Sequence, residues 1–310
     1  MAITVNPLGE NFVAEIYDVD LGASLDAGTV NEIKQAFWRY AVLVFPEQRL
    51  TQHEHVEFAK HFGPMDVSVV KEAISDKDLR VREDIVDVSN LDDGDDIWKQ
   101  DSRLRQLQLG NRLWHTDSSF KFVPALCSML YAIEVPPIGG HTAFADMRAA
   151  YEALSNDRKR DVDGRIAAHS LMYSRARMGY RAWTEEEKKA AAPVPQTLVR
   201  TLPETGRKSL YVASHVGGIH GMDDDSAEAL VSELLEHATQ AAFTHTHRWR
   251  QSDLVMWDNR CTLHRGLAFD DLRFRRDMQR ATVLDIGNTC EQAGIDIPTT
   301  GLWAVPEAVA

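Results

Sequence analysis

The spacing of apolar residues in the first third of the chain predicts two helices on either side of a short strand. Apolar positions recur every three or four residues over 29–40, which indicates a helix with one apolar face. The apolar run 41–45 stops at a proline and reads as a buried strand. Thr51 and Glu54 have the spacing of a capping box, and Gly63 follows, so we expect a second helix over 51–62.

After residue 125 the pattern changes to short apolar segments separated by turn residues. Asp146 is placed to cap a short helix that runs to Leu154. Strands are predicted at 127–135, 142–145, 209–214, 254–257 and 278–285. Many short strands with a few early helices predict a mainly β fold with flanking helices, of the sandwich or jelly-roll type.

No change of composition divides the chain, so we expect a single domain over residues 1–310. The acidic and mixed-charge segment 91–109 is predicted to be a solvated loop. Such a loop is either a lid over a site or a surface insertion. The segment 287–310 contains proline and threonine and is expected to form a tail that wraps the surface or meets another subunit.

Composition narrows the class of protein. The chain is 44% hydrophobic and has a formal net charge of -13, so it is expected to bind neither nucleic acid nor anionic membranes. No apolar run approaches the roughly 20 residues that span a bilayer. Three widely spaced cysteines favour free thiols in a reducing compartment. We therefore expect a cytoplasmic protein.

The strongest chemical signal is a His-x-Asp sequence followed by a distant histidine. In an extended segment residues i and i+2 point the same way, so His115 and Asp117 can bind one ion together. His264 follows a predicted strand and a polar turn, and it would complete two imidazoles and one carboxylate. That set is the facial triad of non-haem iron(II) oxygenases, although zinc hydrolases use the same ligand types.

Two arginines on the predicted last strand extend this pattern. Arg276 and Arg280 are four residues apart, so both face the same side of a strand. A guanidinium binds a carboxylate with two parallel hydrogen bonds, and two of them near a metal indicate a site for two anionic groups. Spacing alone equally allows a surface strand with salt bridges.

Four segments resemble the taurine dioxygenase family, and above all its 2,4-dichlorophenoxyacetate dioxygenase branch. They are WHTDSS, PPIGGHTAFADMRAAYEAL, LVMWDNRCTLHRG and RRDMQRATVLD, and the resemblance extends from about Asn6 to Asp285. It implies a double-stranded β-helix, that is, a jelly roll. It also implies that the enzyme uses Fe(2+), 2-oxoglutarate as co-substrate and O2.

The resemblance also assigns roles to residues. His115, Asp117 and His264 would hold the iron. Arg276 would bind the distal carboxylate of 2-oxoglutarate, and Thr142 would donate a hydrogen bond to it. The segment from His264 to Arg276 is one residue longer than the family's usual spacing, which makes Arg275 a rival. Arg276 is preferred because Arg275 falls on the opposite strand face.

Substrate contacts are expected from four further positions. Arg280 would meet the acidic group of the substrate. Lys71 and Lys99 lie where the phenoxyacetate branch carries lysines that are proposed to meet substrate, although an ordinary surface lysine is the preferred interpretation of each. His215 is a candidate for the pocket wall or for a core position.

The resemblance implies hydroxylation of an aryloxyacetate, such as 2,4-dichlorophenoxyacetate, on the carbon between the ether oxygen and the carboxylate. The products would be a phenol and glyoxylate, together with succinate and CO2. Two alternatives remain at this stage: the same chemistry on a sulfonate or another small aromatic acid, and a zinc-binding protein without oxygenase activity. We also expect a homo-oligomer.

Overall fold

A computed structural model describes residues 2–66 and 80–299. Its strands are β1 Thr4–Pro7, β2 Ala14–Tyr17, β3 Val42–Phe45, β4 Val86–Asp87, β5 Ala125–Glu134, β6 Thr142–Asp146, β7 Ile166–His169, β8 Val194–Thr197, β9 Val199–Thr201, β10 Lys208–Leu210, β11 Val216–Ile219, β12 Thr244–His247, β13 Leu254–Asp258, β14 Thr262–Gly266 and β15 Asp277–Leu284. Its α-helices are α1 Ala27–Tyr40, α2 Gln52–Lys60, α3 Arg103–Leu109, α4 Met147–Glu152, α5 Asn156–Val162, α6 Leu171–Arg177, α7 Glu185–Ala190, α8 Asp224–Ala238 and α9 Thr289–Ala293. Short 3-10 turns cover Gly110–Arg112 and Ala241–Phe243.

The largest sheet has seven strands in the order β1-β2-β3-β13-β5-β15-β4. Its neighbours pair antiparallel except β2 and β3, which are parallel. A smaller sheet has the order β12-β6-β14 and is antiparallel throughout. Strands distant in sequence therefore lie side by side, and this places residues near 130, 257 and 280 in one layer.

Alternating side chains give the large sheet two apolar faces. On one face Leu43, Met129 and Met256 pack against the apolar sides of α1 and α2. On the other face Leu130 and Trp257 pack with Phe144 of the small sheet. Since successive strand residues point to opposite faces, one sheet serves both the helical layer and the interior between the sheets.

The helices over the large sheet begin and end close to where the sequence indicates. Asp26 caps α1 and accepts from the backbone of Thr29, and the helix ends at Ala41 in the left-handed conformation. Thr51 and Glu54 form the predicted capping box of α2. This helix ends at Lys60, two residues earlier than predicted.

The small sheet is covered on its outer side by a second apolar cluster. Ala145 and Leu263 of the sheet pack with residues of α4 and of the amphipathic α8. Two further small sheets, β11-β7-β8 and β9-β10, lie in the same half of the chain. The predicted strand 209–214 is wrong beyond Leu210, because the next backbone amides bond elsewhere: Tyr211 donates to Leu198 and Ser214 to Trp114.

Two segments predicted as irregular contain helices. Residues 103–109 of the expected solvated loop form α3, which supplies leucines at three positions and whose other residues have good helix propensity. In the expected tail, Asn288 caps α9, and Thr289 accepts a hydrogen bond from the backbone of Thr197 at 2.8 Å. The first part of the tail is thus attached to β8.

The structure confirms the prediction of free cysteine thiols. Cys127, Cys261 and Cys290 are free and buried. Among the described residues, no helix is both long and apolar enough to cross a membrane.

Replacement of His169 by phenylalanine is expected to stabilise the fold. His169 is fully buried and stacks on Tyr211 at 5.6 Å, but neither of its nitrogens has a hydrogen-bond partner in the described part of the chain. Burial lowers the pKa of His169 to about 3. The unfolded state, with a pKa of about 6.5, takes up a proton as the pH falls, and the folded state does not, so this histidine costs stability below pH ~6.5.

We expect His169→Phe to raise the free energy of unfolding at pH 7 by about 1 kcal/mol. It should also reduce the loss of stability between pH 7 and pH 5. Urea unfolding at both pH values measures this, with His53→Phe on the exposed face of α2 as control. If the free energy of unfolding fell by the same amount between pH 7 and pH 5 in His169→Phe and in the wild type, His169 would not be a source of this pH dependence.

Candidate metal centre and adjoining pocket

Backbone pairing brings the two halves of the His-Asp-His set together. His115 lies in an extended segment after the 3-10 turn, and it forms an isolated antiparallel bridge with His264 of β14. The amide of His115 donates to the carbonyl of His264 at 3.0 Å, and the amide of His264 donates back at 2.8 Å. The segment thus acts as a further strand of the small sheet, and the rings lie 4.1 Å apart.

The side chains converge as a metal site requires. One ligand atom each from His115, Asp117 and His264 lies within 4.8 Å of the others, and all three residues are buried. Nδ1 of His115 contacts the carbonyl oxygen of Leu113 at 2.8 Å, which leaves Nε2 for a metal. Within residues 2–66 and 80–299 this is the one such group of three.

Asp117 is held by three neighbours. Ser128 donates to Oδ2 at 2.7 Å, and Arg280 donates to Oδ1 at 2.5 Å. Asn259 accepts from the backbone amide of Asp117 at 3.1 Å and donates to Ser128 at 2.9 Å. These contacts fix the carboxylate with its Oδ2 atom 3.7 Å from Nε2 of His264.

The electrostatics keep the ligands in their metal-binding forms. Burial would raise the pKa of Asp117, but the adjacent guanidinium of Arg280 is the main cause that lowers it to about 2. Burial lowers the pKa of His115 and holds that of His264 well below its usual range. The site therefore presents one carboxylate and two neutral imidazoles, which is the donor set that a divalent iron ion takes in a facial triad.

A pocket opens beside this centre, with both polar and apolar walls. His115, His264, Arg276 and Arg280 are among its polar lining residues. Its apolar wall is formed by Val88, Trp98, Leu109, Leu130, Trp257, Leu267 and Phe269. Trp98 and Leu109 come from the segment predicted as a possible lid, so part of that segment does line the site.

Arg276 lies in the pocket without a carboxylate partner in the described structure. Its Nε donates to the carbonyl of Gly140 at 3.2 Å and its Nη1 to that of Val88 at 3.3 Å. Asn90 accepts from its backbone amide at 2.7 Å. Burial lowers the pKa of Arg276 to about 10, so the group is still charged at neutral pH. An anion bound in the pocket would offset the cost of desolvating this guanidinium.

The structure distinguishes the other two residues that the sequence suggests for binding the co-substrate, because only one of them lines the pocket. Thr142 is buried and lines the pocket, and its oxygen accepts from Nε1 of Trp249 at 3.0 Å, which leaves its own proton for a ligand. Arg275 points away and pairs with Glu134 at 2.9 Å. Arg276, not its neighbour, is therefore the residue that the structure brings to the pocket.

The candidates for substrate contact have different positions. Arg280 lines the pocket beside Asp117. His215 is buried against His115, with ring centres 5.9 Å apart, and its Nδ1 lies 3.1 Å from the hydroxyl of Ser119. Lys99 is exposed and is not among the pocket residues, so the structure does not bring it to the site. Lys71 lies outside the described residues.

Several residues of the site were not identified from the sequence. Ser128 has the same strand parity as Leu130, so its inward orientation is predictable, but its contact with Asp117 is not. From the sequence Asn259 is identifiable only as part of the polar turn before His264. Asn90 fixes the loop before β15 through the carbonyls of Asp271 and Phe274. Each of these contacts joins two different segments of the chain, and local sequence patterns do not predict which segments lie close together.

Comparison with known proteins agrees with this geometry. Residues 4–282 match the model of the taurine catabolism dioxygenase TauD, TfdA family. An alpha-ketoglutarate-dependent 2,4-dichlorophenoxyacetate dioxygenase of Cupriavidus pinatubonensis is 40% identical, with 92% of this chain and 99% of that protein covered. An (S)-phenoxypropionate/alpha-ketoglutarate-dioxygenase of Sphingobium herbicidovorans is 36% identical, with 87% and 91% covered.

A solved structure extends the likeness to three dimensions. The crystal structure of AAD-2 in complex with Mn(II) and N-oxalylglycine has a TM-score of 0.86 and 42% identity, over 93% of this chain and 99% of that one. The jelly-roll fold and the use of Fe(2+), 2-oxoglutarate and O2 are confirmed, and the alternative of a zinc-binding protein without oxygenase activity is set aside. The chain belongs to the taurine catabolism dioxygenase TauD, TfdA family and is an iron- and 2-oxoglutarate-dependent dioxygenase.

Proposed function

We propose that this enzyme hydroxylates an aryloxyacetate such as 2,4-dichlorophenoxyacetate. The observation that carries the proposal is a pocket that joins a His-Asp-His centre, unpaired positive charge and an aromatic wall. The relatives that act on 2,4-dichlorophenoxyacetate and phenoxypropionate support the same substrate class. A small aromatic acid would place its carboxylate near the arginines of the pocket and its ring against the apolar side chains.

The proposed reaction consumes one O2 per substrate. One oxygen atom enters a C–H bond of the carbon between the ether oxygen and the carboxylate, and the other oxidises 2-oxoglutarate to succinate and CO2. The product is a hemiacetal, which breaks its bond to the aryloxy oxygen to give a phenol and glyoxylate. Iron(II), when bound, supplies the activation of O2 that couples these two oxidations.

His115, Asp117 and His264 would hold the iron on one side and leave the other side to reactants. Arg276 would bind the distal carboxylate of 2-oxoglutarate, since its guanidinium has no other counter-ion in the described structure. Thr142 would donate a hydrogen bond to the same molecule. Orientation of this kind lowers the entropic part of the barrier because the reactants no longer have to find each other in solution.

Arg280 has two roles in this proposal. It pairs with Asp117, and it also lines the pocket, where its remaining donors face the substrate's acidic group. The ring would pack against Trp98, Leu130 and Phe269 in the apolar wall. His215 would affect the site through the ring of His115, against which it packs.

The first prediction concerns the products. With iron(II), 2-oxoglutarate and air, we expect 2,4-dichlorophenoxyacetate to give 2,4-dichlorophenol, glyoxylate and succinate in equal amounts. The assay should run beside phenoxypropionate, taurine and an alkylsulfonate. Succinate formed fastest with a sulfonate, without phenol release from any aryloxy acid, would overturn the proposed substrate class but not the family.

The second prediction concerns the support of the metal ligand. Ser128→Ala removes the hydroxyl that donates to Asp117, and we expect iron affinity to fall roughly 10-fold. Competition with a coloured chelator measures the affinity. Ser209→Ala is the matched control, since Ser209 is equally buried but contacts Leu210 in β10. Equal iron affinity of the wild type and Ser128→Ala would contradict the role given to Ser128.

The third prediction separates two neighbouring arginines. Arg276→Met should raise the KM for 2-oxoglutarate on the order of 10- to 100-fold, because a charge-assisted contact contributes about 1.5–3 kcal/mol. Arg275→Met should leave this KM unchanged, since Arg275 is bound to Glu134 outside the pocket. Steady-state kinetics at saturating acid measures both variants, and the opposite ranking would reassign the co-substrate residue.

A further inference from the structure

The apolar wall of the pocket contains a hydrogen-bond donor that the described chain does not use. Trp98 lines the pocket and is 7% exposed, and its Nε1 atom is buried without a hydrogen-bond partner among the described residues. An indole N–H donates and does not accept, so only an acceptor can satisfy it. A buried donor without a partner loses its hydration without compensation, and such groups are rare in folded proteins. We therefore expect a ligand of the pocket to supply the acceptor.

A short hairpin holds the backbone of this residue. Leu91 and Ile97 form an antiparallel bridge. The amide of Trp98, directly after the bridge, donates to the carbonyl of Asn90 at 3.0 Å. The side chain of Asn90 accepts from the backbone amide of Arg276 at 2.7 Å. These contacts fix the backbone of Trp98 relative to that of Arg276, so the indole is attached to the polar part of the pocket through a single intervening residue.

Other polar side chains of the pocket are used differently. The side-chain amides of Asn90 and Gln108 donate to backbone carbonyls. Two further lining residues have a buried nitrogen without a partner in the part of the chain that the structure describes, namely His264 at Nδ1 and Arg280 at Nε. His264 belongs to the metal centre, and Arg280 is a cation that already forms an ion pair. Of these three unpartnered groups, Trp98 is the one neutral donor outside the metal ligands.

The chemistry of the proposed substrate contains a matching acceptor. An aryloxyacetate has two kinds of acceptor, the carboxylate oxygens and the ether oxygen. In the proposed function the carboxylate lies near Arg280, and the ring packs against the apolar wall to which Trp98 belongs. The ether oxygen is bonded directly to the ring, so a donor in that wall is closer to the ether oxygen than to the carboxylate.

We propose that Trp98 is a specificity-determining residue whose indole N–H donates a hydrogen bond to the ether oxygen of the substrate. This inference rests on the proposed function. A site that donates a hydrogen bond to its ligand discriminates against an analogue without the acceptor, because the donor of the site is then left unpaired. Trp98 would therefore favour aryloxy acids over acids of equal length that have carbon in place of the ether oxygen. The same bond would help to hold the adjacent carbon, where hydroxylation is proposed, in one position.

The test compares two acids that differ at this one position. Phenoxyacetate and 3-phenylpropanoate have the same chain length, ring and charge, but only phenoxyacetate has an ether oxygen. Their binding is measured by calorimetry on the anaerobic holoenzyme with iron(II) and 2-oxoglutarate, and we expect the wild type to bind phenoxyacetate more tightly. Trp98→Phe keeps an aromatic ring and removes the donor. It should weaken binding of phenoxyacetate about 3- to 10-fold without weakening that of 3-phenylpropanoate.

Trp183 offers a matched control for the loss of an indole. Its Nε1 is also buried without a partner in the described structure, and its ring packs edge-on against Tyr180 at 5.1 Å. Trp183 is not among the described residues that line the pocket. Trp183→Phe should therefore bind both acids as the wild type does. Thermal unfolding of both variants shows that folded enzyme is compared, and the wild-type preference tests the proposal without any variant.

The outcomes are distinct. The role of Trp98 would be overturned by a wild type without preference for phenoxyacetate, by equal losses for both acids in Trp98→Phe, or by an unchanged preference in that variant. Turnover of phenoxyacetate is measured separately in air. A preference for phenoxyacetate that depends on Trp98, without release of phenol in air, would support the role of Trp98 and contradict the proposed reaction instead.

Discussion

The two backbone hydrogen bonds between His115 and His264 are the constraint on which the site depends. They fix a segment near residue 115 to a strand near residue 264, and so they set the distance between the two imidazoles. Asp117 follows two residues later and falls on the same side. Everything else at the centre, from Ser128 to Arg280, adjusts the orientation and charge of side chains whose positions this pairing has already determined.

The apolar layer between the two sheets determines the low polarity of the surroundings of the metal centre. Phe144 and Trp257 exclude water from one side of His264, with Trp257 at 4.6 Å between ring centres. Burial keeps both imidazoles neutral, while Arg280 keeps Asp117 charged. The same low-polarity surroundings make uncompensated guanidinium groups expensive, which is why their presence points to anionic ligands.

Local sequence rules predicted those parts of the molecule that depend on periodicity. The i, i+2 rule joined His115 to Asp117. Alternation along the last strand predicted that Arg276 and Arg280 share one side, and both line the pocket, but Arg276 precedes β15 and a register shift follows Asp277, so alternation alone does not explain its position. The rules failed where a backbone finds partners far away, as at residues 211–214, or where helix propensity exceeded the effect of charge, as in α3. Ser128 and Asn259 cannot be identified from the sequence because their importance comes from contacts with Asp117, which is distant from Asn259 in sequence and lies on a different segment from Ser128. Lys99 was assigned by likeness alone, and the structure leaves it exposed.

The most direct measurement is anaerobic titration of the purified protein with iron(II) in the presence of 2-oxoglutarate, followed by its metal-to-ligand charge-transfer absorption. This absorption arises only when 2-oxoglutarate chelates the metal, so it requires that the protein leave part of the coordination sphere open. The account predicts a visible band that saturates at one iron per chain and shifts when an aryloxyacetate is added. No band, or saturation at another stoichiometry, would contradict it.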